Sequence, residues 1–367
     1  MKNQIFKFIF TLSCTIIISG AGIANAAWDT VTPDEVTPDE VADKAGTVGM
    51  ATASRAIGGA TATTMLGRQA ALRSDSVYAK LGYTPVGPGG TTSTSNILRT
   101  PGSWGKAYGS WGDQDDMDNK LGYEYDLVGV MLGYDVQSHP NWLFGVNGGY
   151  SYADVDSGIN TNTDINTINV GLYASYSKDQ MYIDYGIMYS HGDIDNDRTG
   201  SVELSSDTDS DIITGYIETG YQFPSSNYVL TPFVGVAYST LQIDKYAESP
   251  TVADAYIVDD TDDDFYSTTL GIKAEYFIDN VLHLKGRLTW NHEYSDDLET
   301  TIKAAPASTP TVYTKSKGID IDDDRFGLGI GMKYQYSPEI TFDLDYDLEL
   351  AEDFDSHTGT IGMKYKF

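Results

Sequence analysis

Five histidines, His139, His191, His283, His292 and His357, are the side chains that could move protons near neutral pH. Two of them have carboxylates at strand-like spacing. His191 precedes Asp193 and Asp195, and His357 follows Asp353 and Asp355. A barrel phospholipase would need a serine activated by such a histidine, and a barrel protease would need paired aspartates beside one. No serine nucleophile stands out, so these residues read as solvated groups at strand and loop ends. The chain is expected to be no enzyme and to carry no cofactor. Acidic spacings raise a second possibility. Asp207-x-Asp209-x-Asp211 reaches Glu218 at the twelfth position of a calcium loop, but Ile212 stands where the turn needs glycine. Asp193-x-Asp195-x-Asp197 and Asp320-x-Asp322-x-Asp324 lack that glycine too. Weak divalent-cation binding suits Asp259, Asp260, Asp262, Asp263 and Asp264 better, because clustered carboxylates repel one another.

Composition narrows the classes that could hold these residues. The 367 residues carry 53 acids against 23 bases, a net charge of −30. Nucleic-acid binding is excluded as a reading, since phosphate neutralisation requires clustered Lys and Arg. With 27 Tyr, 37 Gly and regularly spaced aliphatics, an acidic disordered chain does not fit either.

Residues 1–26 have the organisation of a secretory signal. Lys2 and Lys7 form a basic start, Phe8 to Ser19 an apolar core too short to span a bilayer, and Ala24-Asn25-Ala26 a small-x-small cleavage site. The one cysteine, Cys14, lies inside that core, so the mature chain has no thiol for a disulfide or a nucleophile. Residues 27–60 read as a short leader with a tandem Val-Thr-Pro-Asp-Glu at 31–35 and 36–40. Residues 61–80 hold enough Ala, Leu, Met, Arg and Gln for a helix, with Gly58-Gly59 weakening what precedes it. Residues 81–102 form a Pro/Gly/Ser/Thr linker.

From 103 to 367 the hydrophobic period is two. Ile340, Phe342, Leu344, Tyr346, Leu348 and Leu350 alternate with Thr341, Asp343, Asp345, Asp347 and Glu349, which places one apolar and one acidic face on a single strand. Twelve such segments run roughly over 103–114, 121–137, 141–157, 163–178, 180–197, 208–223, 227–246, 264–278, 281–303, 322–336, 338–353 and 355–367. Short and longer connections alternate, and aromatics such as Trp142, Tyr176, Tyr221, Tyr238, Trp290 and Tyr336 fall near strand ends. An even strand number, one-sided tight turns and aromatic girdles predict an all-β fold, a twelve-stranded antiparallel transmembrane β-barrel. Its interior would be lined by Asp343, Asp345, Asp347, Glu349, Lys285, Arg287, Lys333 and Lys364, read chiefly as interior ladders of opposite charge. The helix is expected to thread the pore, with Arg68 and Arg73 facing the carboxylates of the eleventh strand.

The stretch Trp104-Gly105-Lys106-Ala107-Tyr108-Gly109-Ser110-Trp111-Gly112-Asp113 resembles the opening strand of the autotransporter translocator (β-domain) family. The resemblance continues through 129–134, 145–154, 170–176 and 232–238, and into the last strand, where Ile361, Met363, Tyr365 and Phe367 look like a terminal assembly signal. It implies a pore helix, residence in the outer membrane of a Gram-negative-type bacterium, contact with outer-membrane lipid and periplasmic chaperones, and recognition of the C-terminal strand by the barrel-assembly machinery. The family exports a passenger between signal and barrel. Here only about 70 residues separate Ala26 from the first strand, too few for a stacked-repeat passenger. The expected role is structural or surface display with acidic extracellular loops, where divalent cations are candidate partners. The alternatives are a passive diffusion channel and a barrel hydrolase.

Overall fold

The computed structural model describes residues 47–80, 102–115, 122–139, 141–157, 160–252, 255–294, 301–306, 314–317 and 323–366. The signal, the first part of the leader, the linker and Phe367 therefore lie outside the described residues. Twelve long strands alternate up and down: β1 (Gly102–Gln114), β2 (Tyr123–His139), β3 (Trp142–Ser157), β4 (Thr161–Lys178), β5 (Met181–Thr199), β6 (Glu203–Tyr221), β7 (Tyr228–Ile243), β8 (Thr261–Phe277), β9 (Leu282–Glu293), β10 (Asp324–Gln335), β11 (Ile340–Leu350) and β12 (Phe354–Lys366). Each pairs antiparallel with its neighbours in sequence, and β12 pairs with β1 from Gly102↔Lys366 to Gln114↔Phe354. That last ladder closes the sheet and removes both edges, so the backbone hydrogen bonds of these strands are met within lipid.

Alternation decides which face meets which medium. On β2, Val128, Val130, Leu132 and Tyr134 point outward and are exposed, while Leu127, Met131 and Asp135 point inward and are buried. The outward apolar residues form a belt bounded by aromatic rings. At the tight-turn end Trp142 lies against Tyr176 with centroids 4.9 Å apart, and Tyr221 against Phe223 at 4.8 Å. At the loop end Tyr238 stacks on Tyr266 at 6.0 Å. No helix among the described residues is long and apolar enough to cross a membrane, and the strands make the crossing.

The strands differ from the sequence reading mainly at the loop end. A tilted strand needs about 9–11 residues to span a bilayer, yet β5 and β6 each run to 19. Their ends stand clear of the belt, where outward positions turn from apolar to acidic without breaking the ladder. Asp262, Asp263 and Asp264 belong to β8 and not to a loop for the same reason. Conversely, the segment read as one strand over 281–303 ends at Glu293, and Thr301–Pro306 joins a separate small sheet with Tyr246–Ala247, Tyr256–Val258 and Thr314–Lys317.

One helix, α1 (Thr47–Lys80), lies inside the barrel against β2 to β7. It starts well before residue 61. Gly58 and Gly59 do not interrupt it, because the surrounding wall, and not intrinsic propensity, supplies most of its stability. Its many small residues allow close approach, and its hydroxyls are met locally: Thr61 Oγ1 donates to Ile57 O at 2.7 Å and Thr64 Oγ1 to Ala60 O at 2.9 Å.

Candidate functional site

The lumen is where the chain concentrates charge in a buried setting, and the helix descends through it in a fixed direction. Near its start Ser54 Oγ lies 3.4 Å from Ser210 Oγ, close to the loop end of β6. Midway Thr61 Oγ1 lies 3.0 Å from Asn169 Oδ1. Lower down Gln69 donates to Ala174 O at 2.7 Å and accepts from Tyr216 OH at 2.7 Å. Arg68 then pairs with Asp135 on β2, and Arg73 with Asp184 near the tight-turn end of β5.

Arg68 and Arg73 are expected to face β11; their ion pairs are instead with β2 and β5, while the charge of Arg68 still reaches Asp343 on β11. The helix leans on the opposite half of the wall, where Asp135, Asp184 and Glu218 are the inward acids. Each is built into a network. Tyr173 OH also donates to Asp135 and receives Trp104 Nε1–H at 2.8 Å. Ser175 donates to Asp184 at 2.6 Å. Glu218 pairs with Lys273, accepts from Tyr182 OH at 2.5 Å and lies 3.9 Å from Arg73, whose guanidinium sits 3.7 Å over the Tyr182 ring. Burying these charges is tolerable because each finds an opposite charge and neutral donors. Sequence reasoning passed over the three acids. Their signal was inward parity, with Asp135 on β2, Asp184 on β5 and Glu218 on β6 each on the lumen-facing side of its strand.

The other half of the wall is the charge ladder anticipated from β11. Asp343, Asp345, Asp347 and Glu349 all sit on its inward face. Lys285 pairs with Asp345 at 2.5 Å and Arg287 with Asp347 at 2.8 Å. These partners are not on adjacent strands, since β10 runs between them. The register explains the reach: Lys285 is opposite Gly331, which is opposite Asp345, and Arg287 is opposite Gly329, which is opposite Asp347. The glycine row of β10 leaves an open track over which β9 cations touch β11 anions. A Cβ at Gly331 would fall 2.1 Å from Asp345 Oδ1. Lys333, directly opposite Asp343, is inward and buried, and so is Lys364 on β12, opposite Thr341.

Toward the loop end the lumen changes character. Met50 and Ile57 of the helix share one apolar cluster with Tyr125, Val155, Ile194, Leu241, Phe265 and Phe354. Outside, just above the belt, aromatic donors clasp a polar partner on the next strand of the same outer hairpin: Tyr189 OH to Asp211 at 2.5 Å, Tyr238 OH to Asp264 at 3.0 Å and Trp290 Nε1 to Asp324 at 2.8 Å. The histidines at this height belong to the same collar. His191 Nδ1 is 2.9 Å from Asp211, His292 Nδ1 is 2.8 Å from Asp324, and His357 lies 2.9 Å from Asp355 and 2.6 Å from Tyr346 OH. Above the collar a rung of carboxylates runs straight across the ladder through Asp126, Asp154, Asp164, Asp195 and Asp207. The Asp195 carboxyl is held above its ordinary range by its bond to Asp207, by partial burial and by the charges of Asp207, Asp164 and Asp197.

The candidate cation residues do not converge. Asp259 accepts from Lys245 at 3.1 Å, Asp262 from Gln242 at 2.6 Å, and Asp263 from the backbone N–H of Asp264 at 3.0 Å. Among the described residues the ligand atoms that come together, within 4.8 Å, are those of His191, Asp193 and Asp209. Ile361, Met363 and Tyr365 point outward into the belt on β12.

The closed twelve-stranded barrel with a helix bound inside is an architecture that known proteins share. The family model of the autotransporter beta-domain matches residues 103–347. The translocator domain of autotransporter NalP from Neisseria meningitidis superposes with a TM-score of 0.61 at 13% identity, covering 73% of this chain and 89% of that one. The beta domain of the Bordetella autotransporter BrkA gives 0.55 at 18% identity, covering 73% and 100%, and the transport unit of AIDA-I from Escherichia coli gives 0.55 at 11%, covering 80% and 98%. An extracellular serine protease of Serratia marcescens is 29% identical over 214 residues, which span 56% of this chain and only 20% of that protein. The chain belongs to the autotransporter beta-domain family, and it is a β-barrel of the bacterial outer membrane.

Proposed function

We propose that this chain is a non-catalytic surface-display barrel of a Gram-negative-type outer membrane, holding the segment that precedes its pore helix outside the cell. The observation that supports this most is the direction of the helix. Its first turns lie at the loop end, and its last lie at the tight-turn end, where β1 begins and β12 finishes. A helix running in that direction suits a chain whose N-terminal side is delivered to the loop end. The acidic outer ends of β2 to β6 would present the same sign of charge around that exit, keeping like-charged surfaces apart.

A passive channel fits less well, because the helix and the charge ladder fill the lumen. A hydrolase also fits less well. His191, His292 and His357 each lie against a carboxylate at the belt's edge, and His292 and His357 stack on Trp290 and Trp111, so each is already engaged. The Serratia relative is named a serine protease, and the part of it matched here is about a fifth of its length. Epitope tags test the reading. A tag near Thr30, Thr251 or Ser308 should bind antibody on intact cells, and a tag near Ser226 should not. Binding at Ser226 with silence at Thr30 would reverse the orientation and overturn display.

A further inference from the structure

Above the belt, the outer face of the β5–β6 hairpin gathers an imidazole and three carboxylates. His191 and Asp193 are successive outward residues of β5, and Asp211 and Asp209 stand directly opposite them on β6. The belt ends one step below, at Tyr189 and Ile213, which oppose each other and are exposed. A nitrogen of His191 and one carboxylate oxygen from each of Asp193 and Asp209 lie within 4.8 Å of one another. Asp211 plays a different part. Its Oδ1 accepts from Tyr189 OH at 2.5 Å and from His191 Nδ1 at 2.9 Å. An ionised carboxylate can only accept, so the proton sits on Nδ1 and the lone pair on Nε2. A carboxylate on the far ring nitrogen is how metal-binding histidines are commonly oriented. Asp193 and Asp209 carry like charges in directly opposed positions, which destabilises a sheet unless something neutralises them. One rung further out, Asp195 meets Asp207 through a shared hydrogen bond. Among the described residues no side-chain hydrogen bond or salt bridge does the same for Asp193 and Asp209.

We propose that His191, Asp193 and Asp209 form a binding site for a divalent transition metal of the zinc class, oriented by Asp211, which clamps β5 to β6 at the outer rim. The donor set selects the ion. An imidazole nitrogen with two carboxylate oxygens suits zinc and its neighbours, whereas calcium and magnesium take oxygen ligands. Zinc holds such donors at about 2.0–2.2 Å. The side chains stand at the surface, so small rotations bring the three atoms in. An ion there cancels the Asp193–Asp209 repulsion and links the two strands beyond the belt. Three protein ligands leave the fourth position to water.

Calorimetric titration of zinc into the untagged, metal-stripped, folded full chain in detergent tests this with the metal alone. The parent should take up zinc in a saturable step that a large excess of calcium or magnesium does not displace. His191→Ala, Asp193→Asn and Asp209→Asn should each weaken that step by at least about tenfold, as loss of a ligand demands. Asp211→Asn should weaken it by about tenfold, the low end of the range for a histidine that loses its orienting partner. His292→Ala removes a histidine of the same collar, bonded to Asp324, and should leave the step unchanged. Zinc should also slow hydrogen exchange at the β5–β6 rim in the parent and not in His191→Ala. Retained heat-modifiability shows that each variant is folded. Four results would each overturn the proposal: no saturable uptake by the parent, parental affinity in His191→Ala, equal weakening by His292→Ala, or displacement by calcium as readily as by zinc. Saturable uptake with unchanged exchange at the rim would overturn the clamp.

Discussion

At the scale of single residues, glycine in this barrel is an instrument of reach. The inward glycines of β10 are not there for unusual backbone angles; they leave space for side chains of the two flanking strands to meet across them. Gly331 is the clearest case, because a Cβ there would lie 2.1 Å from Asp345 Oδ1 and 2.8 Å from the Leu344 carbonyl oxygen. The carboxylate could swing aside, but the carbonyl is held in the ladder. Gly331→Ala should therefore cost about 1–3 kcal/mol, the usual range for overpacking, and lower the temperature at which the heat-modifiable band is lost. Gly359, with nothing within 4 Å of its would-be Cβ, is the matched control and should tolerate alanine.

The elements carry a different tension. β5 and β6 extend past the belt and bring Asp195 and Asp207 directly opposite each other. Like charges in directly opposed positions destabilise a sheet, and the raised carboxyl of Asp195 is the local sign of it. The direction of the pH effect follows. An acid whose folded-state affinity for a proton exceeds its unfolded one stabilises the fold below its folded titration range and loses that contribution as pH rises through it. Asp195→Asn should thus slow hydrogen exchange at the β5–β6 rim relative to the parent at neutral pH, and the difference should vanish in acid. An equal difference at both pH values would assign the effect to packing and not to charge.

For the whole molecule the question is which parts stand alone. The β1–β12 ladder closes the barrel without the helix, whereas the helix is held by walls on several sides. Deleting residues 45–80 should leave a folded, heat-modifiable barrel. Asp135, Asp184 and Glu218 would lose arginine partners but gain water in an emptied lumen, which softens the cost that a dry buried charge would carry. Twelve strands enclose more space than side chains alone can fill, so bilayer conductance should rise several-fold. A folded deletion variant with parental conductance would mean that the charge ladder and the outer connections, and not the helix, block the pore.

What the sequence determined by itself is the part that local chemistry repeats. Period-two alternation set the strands and their inward and outward faces, because a side chain's face follows from its parity alone. Thus Asp343, Asp345, Asp347 and Glu349 could be placed inside, and Ile361, Met363 and Tyr365 outside, before any pairing was known. The resemblance at Trp104 to Asp113 added the helix in the pore. What only the tertiary structure decided is whatever depends on distance across the lumen or along the ladder. Arg68 and Arg73 form their ion pairs with Asp135 and Asp184 because the helix leans on β2 to β7, and no parity rule says which wall a helix will favour. The helix begins at Thr47, despite Gly58 and Gly59, because a surrounding wall outweighs propensity. The Lys285–Asp345 contact needs a glycine between them in register, and Arg198 meets Glu248 only because one loop folds inward. Register and loop path are set by the closed sheet as a whole, and no window of sequence contains them.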